Sequence, residues 1–109
     1  MSIAAFIMEP EELKNNEAMY TPISTEEGFY KAWYPLIQKL ELKWLTHMSF
    51  GLDVTKSNLQ EVLSELHILS AFIEESENPY RIGLLERIAN LENMLNKAFE
   101  NENVVVYIG

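Results

Sequence analysis

The chain contains no cysteine, which excludes a disulfide framework, a thiolate nucleophile and a zinc–thiolate site. Its four glycines are scattered singly, so no glycine-rich loop is present to cradle a phosphate. No apolar run approaches the roughly 18 residues that indicate a membrane span. The apolar run of residues 2–8 has no basic start and meets Glu9 at once, so we expect no secretory signal and a cytoplasmic protein.

Basic residues are also scarce. Eight Lys and Arg residues stand against seventeen Asp and Glu, a net charge of −9. Such a charge repels nucleic-acid phosphates and anionic membranes and attracts a basic partner, although it can also serve solubility alone. The acids form four clusters, at Glu9/Glu11/Glu12/Glu17, Glu26/Glu27, Glu74/Glu75/Glu77 and Glu100/Glu102.

The segment from Thr55 to Phe99 predicts two amphipathic helices joined by a break at Asn78-Pro79. Apolar residues recur in each helix at spacings of three and four, which keeps one helix face apolar. The short connection predicts that the two helices pack antiparallel as a hairpin. The first stripe is Leu59, Leu63, Leu66, Ser70 and Ile73, widened by Val62 and Leu69; the second is Leu84, Ile88, Leu91, Leu95 and Ala98.

Both ends of the chain predict strands. Residues 2–8 are short and apolar, and the run from Val104 to Ile108 is rich in valine, which favours a sheet over a helix. A short terminal strand needs a partner, so we expect these two strands to pair, in a direction that the sequence leaves open. The expected fold is a single α+β, helix-rich domain over residues 1–109, with the hairpin and preceding helices packed on a small sheet of the two terminal strands.

The stretch between the first strand and the hairpin predicts further helices. Pro10 starts a short helix that frays into a loop by Thr21. Ser24 and Glu27 fit a capping box that starts the next helix. Its apolar face carries Phe29, Trp33, Ile37, Leu40, Trp44 and Met48.

Two breaks are expected in this second helical region. Pro35 predicts a kink, or two helices that meet near Trp33-Tyr34. Gly51 suits a left-handed helix end, and Asp53 or Thr55 is expected to cap the first hairpin helix.

Groups that could perform catalysis are few and dispersed. His47 and His67 are the only imidazoles, and neither has a second ligand at the helical spacing of a metal pair. Glu61 and Glu65 share a helix face, but a chain this acidic produces such pairs by chance. We therefore expect no enzyme activity, no cofactor and no metal site.

With catalysis not expected, the function that the sequence favours is binding to another protein. Tyr30 and Tyr34, two of four aromatic residues within six positions, are amphipathic and can line a binding surface. Complementary charge speeds association with a basic partner. The candidate partner-binding residues are Glu26, Glu27, Tyr30, Tyr34, Glu74, Glu75 and Glu77.

Four segments carry a family resemblance, namely Tyr34-Pro35-Leu36-Ile37, Phe50-Gly51, Glu65-Leu66-His67-Ile68-Leu69 and Asn103-Val104-Val105-Val106. Their order over residues 30–108 resembles that of small immunity proteins of bacterial polymorphic toxin systems, of the immunity protein 70 type. The resemblance implies a cognate toxin, often a nuclease or another enzyme with a basic surface, that is blocked in a tight complex. It implies no catalytic residues.

Two other functions stay open. One is a helical adaptor or regulator, phage-derived in one version, that acts as a homodimer through an exposed Leu84/Ile88/Leu91/Leu95 stripe. The other is a nucleic-acid mimic, which shares the acidity but lacks a regular ladder of carboxylates.

Overall fold

In the computed structural model, helices pack on one face of a four-stranded antiparallel sheet. The structure describes residues 2–7, 20–100 and 104–109. This architecture confirms the expected helix-rich α+β class. The predicted short helix after Pro10 lies outside the described residues. The elements in chain order are β1 (Ser2–Ile7), β2 (Tyr20–Thr25), α1 (Glu26–Gly28), a π-helical turn (Phe29–Trp33), α2 (Tyr34–Lys39), a 3-10 helix (Leu45–His47), β3 (Leu52–Val54), α3 (Leu59–Glu74), α4 (Arg81–Ala98) and β4 (Val106–Ile108).

The terminal strands pair as expected and lie side by side at the centre of the sheet. The strand order is β2-β1-β4-β3, and β1 runs antiparallel to β4 with Ala5 opposite Ile108. Side chains alternate between the two faces. Ile3 and Ala5 are buried beneath the helices, whereas Phe6 is partly exposed on the other face.

The sheet has two more strands than the sequence predicts, because β2 and β3 pair with the terminal strands and form the two edges. The β2 segment contains Pro22 among hydroxyl-bearing residues, a composition typical of turns, and β3 has only three residues. An edge strand tolerates proline because one side of its backbone needs no strand partner. Side chains cover a carbonyl on each edge strand: Arg87 Nη1 donates to Pro22 O at 2.9 Å, and Asn58 Nδ2 donates to Asp53 O at 3.0 Å.

The first predicted helix cap is wrong by one residue and the second by at least three. Ser24 lies within β2, and the cap of α1 is the last residue of that strand, Thr25, whose Oγ1 accepts the Gly28 N–H at 2.9 Å. Neither Asp53 nor Thr55 caps α3: Asp53 lies in β3, Thr55 follows that strand, and α3 begins only after Asn58. The missed edge strands β2 and β3 therefore contain Ser24 and Asp53, which the sequence pattern assigned to caps.

Proline changes the helix ladder where the sequence predicts a disturbance. The π-helical turn ends at Trp33, and Tyr34 N–H bonds to Phe29 O, five residues back. Pro35 lacks an N–H and its ring crowds the carbonyl four residues earlier, so a wider turn before it relieves the clash. We call α1, the π-helical turn and α2 together the first helical segment.

This segment ends earlier than the apolar stripe predicts. Glu41 is left-handed (φ 55°), and its N–H and that of Leu42 bond back to Gln38 O and Ile37 O in a Schellman motif. The chain then turns into the 3-10 helix, so Met48 reaches the core from a separate element. Gly51 has the expected positive φ, at 127°.

The helical hairpin closely follows its prediction. The second stripe is buried from Leu84 to Ala98. The first is rotated slightly, because Val62 and Leu69 are fully buried whereas Leu59 and Leu63 are half-buried. The homodimer hypothesis requires an exposed second stripe, but this stripe is buried in the core of the protein. Among the described helices, none is both long and apolar enough to cross a bilayer.

Candidate functional site

The two predicted tyrosines lie together on the first helical segment. Tyr30 is in the π-helical turn and Tyr34 begins α2, with ring centroids 5.3 Å apart. Tyr30 is 47% exposed, whereas Tyr34 is half-buried with its ring 6.2 Å from the core residue Phe29. The core therefore holds Tyr34 in place, and Tyr34 supports the exposed ring of Tyr30.

A turn from elsewhere in the chain adjoins this pair. The hydroxyls of Tyr30 and Ser49, 19 residues apart in sequence, share a hydrogen bond of 2.7 Å. The next residue, Phe50, is 68% exposed and lies edge-on to His47 at 5.4 Å. We call Tyr30, Tyr34, His47 and Phe50 the aromatic surface. Sequence reasoning missed Phe50, whose only signal is a large apolar side chain beside the glycine of a break.

The predicted acidic residues fall in two separate places. Glu26 and Glu27 are exposed at the start of α1, one helical turn before Tyr30. Glu74, Glu75 and Glu77 are exposed where α3 ends and the chain turns into α4. Among the described residues, no hydrogen bond or ion pair joins the two groups to each other or to the aromatic surface. Only the Glu26/Glu27 pair is close to the tyrosines in the chain.

Glu61 and Glu65 both accept hydrogen bonds from residues 43–45, so their shared helix face is not a chance feature of an acidic chain. Glu65 accepts the backbone N–H groups of Lys43, Trp44 and Leu45 at 2.9–3.0 Å. Glu61 accepts the indole N–H of Trp44 at 2.7 Å. Both carboxylates act as structural anchors, and each oxygen of Glu65 already accepts two of these bonds. They hold the segment that leads into His47 and Phe50.

The two histidines occupy surface positions without a ligand set. His67 is highly exposed, and its Nδ1 lies 3.4 Å from a Glu92 carboxylate oxygen. His47 lies against Phe50. Within the part of the chain that the structure describes, no group of three His, Cys, Asp or Glu side chains is arranged to hold a metal ion.

Taken together, the site is a rigidly supported aromatic surface beside an acidic pair. Two elements that are distant in sequence build it. Tyr34 packs its ring against the core residue Phe29, and the segment that leads to Phe50 is bonded to α3 through Glu65. Comparisons of the chain with known protein families, curated proteins and solved structures find no match.

Proposed function

We propose that this protein is a non-catalytic inhibitor that binds and occludes a basic protein, as immunity proteins do with their toxins. The observation that carries the proposal is the aromatic surface, in which Tyr30 and Phe50 are exposed and joined through Ser49. Tyrosine and phenylalanine are enriched at protein interfaces, where a rigid ring buries much area at little entropic cost. An exposed pair of this kind favours a partner of complementary shape.

Charge favours a basic partner over an acidic one. The chain carries −9 overall, and Glu26 and Glu27 are exposed one turn from Tyr30. In this proposal the aromatic rings supply most of the affinity, while the carboxylates speed the encounter. The partner is therefore a domain with a basic surface, such as a nucleic-acid-cleaving toxin.

Rigidity suits a surface that blocks another protein. The Glu65 and Glu61 bonds fix the chain from Lys43 to Leu45, just before the turn that carries Phe50. A preformed surface loses little conformational entropy on binding, which favours a long-lived complex. Inhibition needs such a slow dissociation rate.

Affinity capture from the source cells tests the proposal. The tagged protein and its Tyr30→Ala/Phe50→Ala variant would be compared with Tyr80→Ala, since Tyr80 is also 47% exposed and lies outside the aromatic surface. We expect wild type and Tyr80→Ala to retain one basic protein at near-stoichiometric yield, and the double variant to lose it.

A second step separates an inhibitor from an adaptor. The captured protein would be expressed with and without this chain, and cell growth or its purified activity measured. We expect inhibition by wild type and relief of that inhibition in the double variant. Capture that the double variant leaves unchanged, or a partner whose activity persists in the complex, would refute the proposal.

A further inference from the structure

A cleft of about 320 Å³ opens between the first helical segment and the N-terminal half of α4. Its size lies at the small end of the range of about 300–1,000 Å³ that is typical of small-molecule sites. Neither Tyr30 nor Tyr34 lines this cleft, so it is separate from the aromatic surface.

The walls of the cleft are apolar. Ile23, Trp33 and Leu84 line it and are almost completely buried, which fixes their positions. Tyr80, 47% exposed, adds an aromatic ring. A concave apolar wall with few polar groups is the usual form of a site for a small organic molecule.

Two cations line the same cleft. Lys31 and Arg87 both contribute to it, and no carboxylate is found among its described lining residues. Neither cation forms an ion pair with any residue in the described part of the chain. Arg87 donates a hydrogen bond from Nη1 to Pro22 O, and its other N–H donors remain available to a ligand. On a chain of net charge −9, this cleft is a local basic site.

Gly83 provides an independent indication. It lies in the first turn of α4, where glycine destabilises a helix relative to alanine. A Cβ built there meets nothing within 4 Å, so packing does not require a glycine at this position. Because Gly83 lines the cleft, a larger side chain would take up space there. The missing side chain keeps the cleft open.

We propose that this cleft binds a small monocarboxylate with an apolar tail. The carboxylate pairs with Lys31 and Arg87, and the tail packs among the apolar walls formed by Ile23, Trp33 and Leu84. The two cations select for the anion, because an uncharged analogue of the same shape forms weaker hydrogen bonds to them than a carboxylate does. This inference does not depend on the proposed protein partner.

Amide spectra by nuclear magnetic resonance offer a direct test with an internal control. Of the four glycines, Gly28 and Gly83 line the cleft, whereas Gly51 and Gly109 lie beside Tyr107. The probe is 4-phenylbutyrate, with 4-phenylbutyramide and 4-phenylbutylamine as neutral and cationic analogues. We expect 4-phenylbutyrate to shift the Gly28 and Gly83 signals saturably, with a Kd on the order of 1 mM for a ligand of this size. The two analogues should bind about tenfold more weakly or not at all.

Three variants sharpen the result. Lys31→Gln should weaken binding several-fold, while Lys43→Gln, which removes an exposed cation over the Trp44 ring, should leave the Kd unchanged. Gly83→Leu should abolish the shift at Gly28 and retain the fold, because leucine is a better helix former. Equal binding of the amide, unchanged binding by Gly83→Leu or shifts centred on Gly51 and Gly109 would each overturn the proposal, as would the absence of any saturable shift.

Discussion

The carboxylate of Glu65 accepts the backbone N–H of Trp44 with both oxygens, at 2.9 and 3.0 Å, across 21 residues of sequence. The same group also accepts the N–H groups of Lys43 and Leu45. These donors lie where the 3-10 helix begins, and the first N–H groups of a helix have no acceptor within it. One side chain of α3 thus supplies the acceptor that these N–H groups need.

Replacing Glu65 by alanine should therefore destabilise the fold. Three N–H groups lose their acceptor, and we expect the free energy of unfolding to fall by about 2–4 kcal/mol, as measured by urea denaturation. Glu86→Ala is the matched control, since Glu86 is exposed on α4 and should change stability by less than about 0.5 kcal/mol. Equal stability of the two variants would show that the Glu65 bonds contribute nothing.

Sequence reasoning could not recognise this contact. Glu61 and Glu65 stand four residues apart on one helix, a spacing that any acidic chain produces often. Their partners are mostly backbone N–H groups, which carry no sequence signature. Only the folded arrangement of α3 against residues 43–45 reveals what the carboxylates do.

Asn58 performs a similar role at the edge of the sheet, and its substitution should also destabilise the fold. It is the only polar residue among the described ones that is buried, its Oδ1 accepts Thr55 N–H at 2.8 Å, and its Nδ2 donates to Asp53 O. Asn58→Ala should cost about 1–3 kcal/mol in thermal or urea unfolding.

Asn58→Asp distinguishes the two bonds of this side chain. It keeps an acceptor for Thr55 but places a carboxylate oxygen against the Asp53 carbonyl, so we expect it to destabilise as well. Lys56→Ala, exposed in the same turn, should be nearly neutral. An Asn58→Asp variant as stable as wild type would mean that the Asp53 bond is dispensable.

Glu41 offers a stabilising substitution. Its φ of 55° is left-handed, which costs an L-residue about 1–2 kcal/mol relative to glycine. Glycine also makes the unfolded chain more flexible, which offsets part of the stabilisation from relieving this strain. Glu41→Gly should therefore raise the free energy of unfolding by about 0.5–1 kcal/mol. Glu41→Ala is the control, since it removes the charge and keeps the strain. If both variants gain equally, the effect comes from charge and not from the backbone.

Two glycines should respond in opposite directions to alanine. Gly83→Ala should raise the free energy of unfolding by about 0.5–1 kcal/mol, because the helix gains propensity and the new Cβ meets open space. Gly28→Ala should lower it by about 1–2 kcal/mol. The Cβ of an alanine at position 28 would lie 2.8 Å from Ser24 Oγ and 2.9 Å from Thr25 Oγ1, the oxygen that caps α1. Calorimetry on both variants would reveal the difference, and a matching sign would contradict it.

The accuracy of the sequence predictions follows the range of the interactions. The hairpin was predicted well because its stripes repeat within each helix, so local periodicity carries the information. The strands β2 and β3 were missed because pairing with β1 and β4 overrides their turn-like composition and short length. At the candidate site, aromatic density identified Tyr30 and Tyr34, whereas Phe50 is brought to their side by its neighbour Ser49, whose hydroxyl bonds to Tyr30 across 19 residues.

The acidic pair Glu26 and Glu27, next to the aromatic surface, should control the rate of partner association. Glu26→Lys/Glu27→Lys and Glu74→Lys/Glu75→Lys change the net charge equally, so a general field effect would slow partner association equally. Exposed charges are screened beyond a Debye length of about 8 Å at physiological salt, so the pair one turn from Tyr30 should dominate. Against the captured partner, surface plasmon resonance at physiological salt should show that the first variant lowers the association rate constant several-fold, and the second clearly less. At low salt the longer Debye length should let both variants slow association, so the difference between them should shrink. A larger effect from the Glu74/Glu75 variant would move the interface to the hairpin connection.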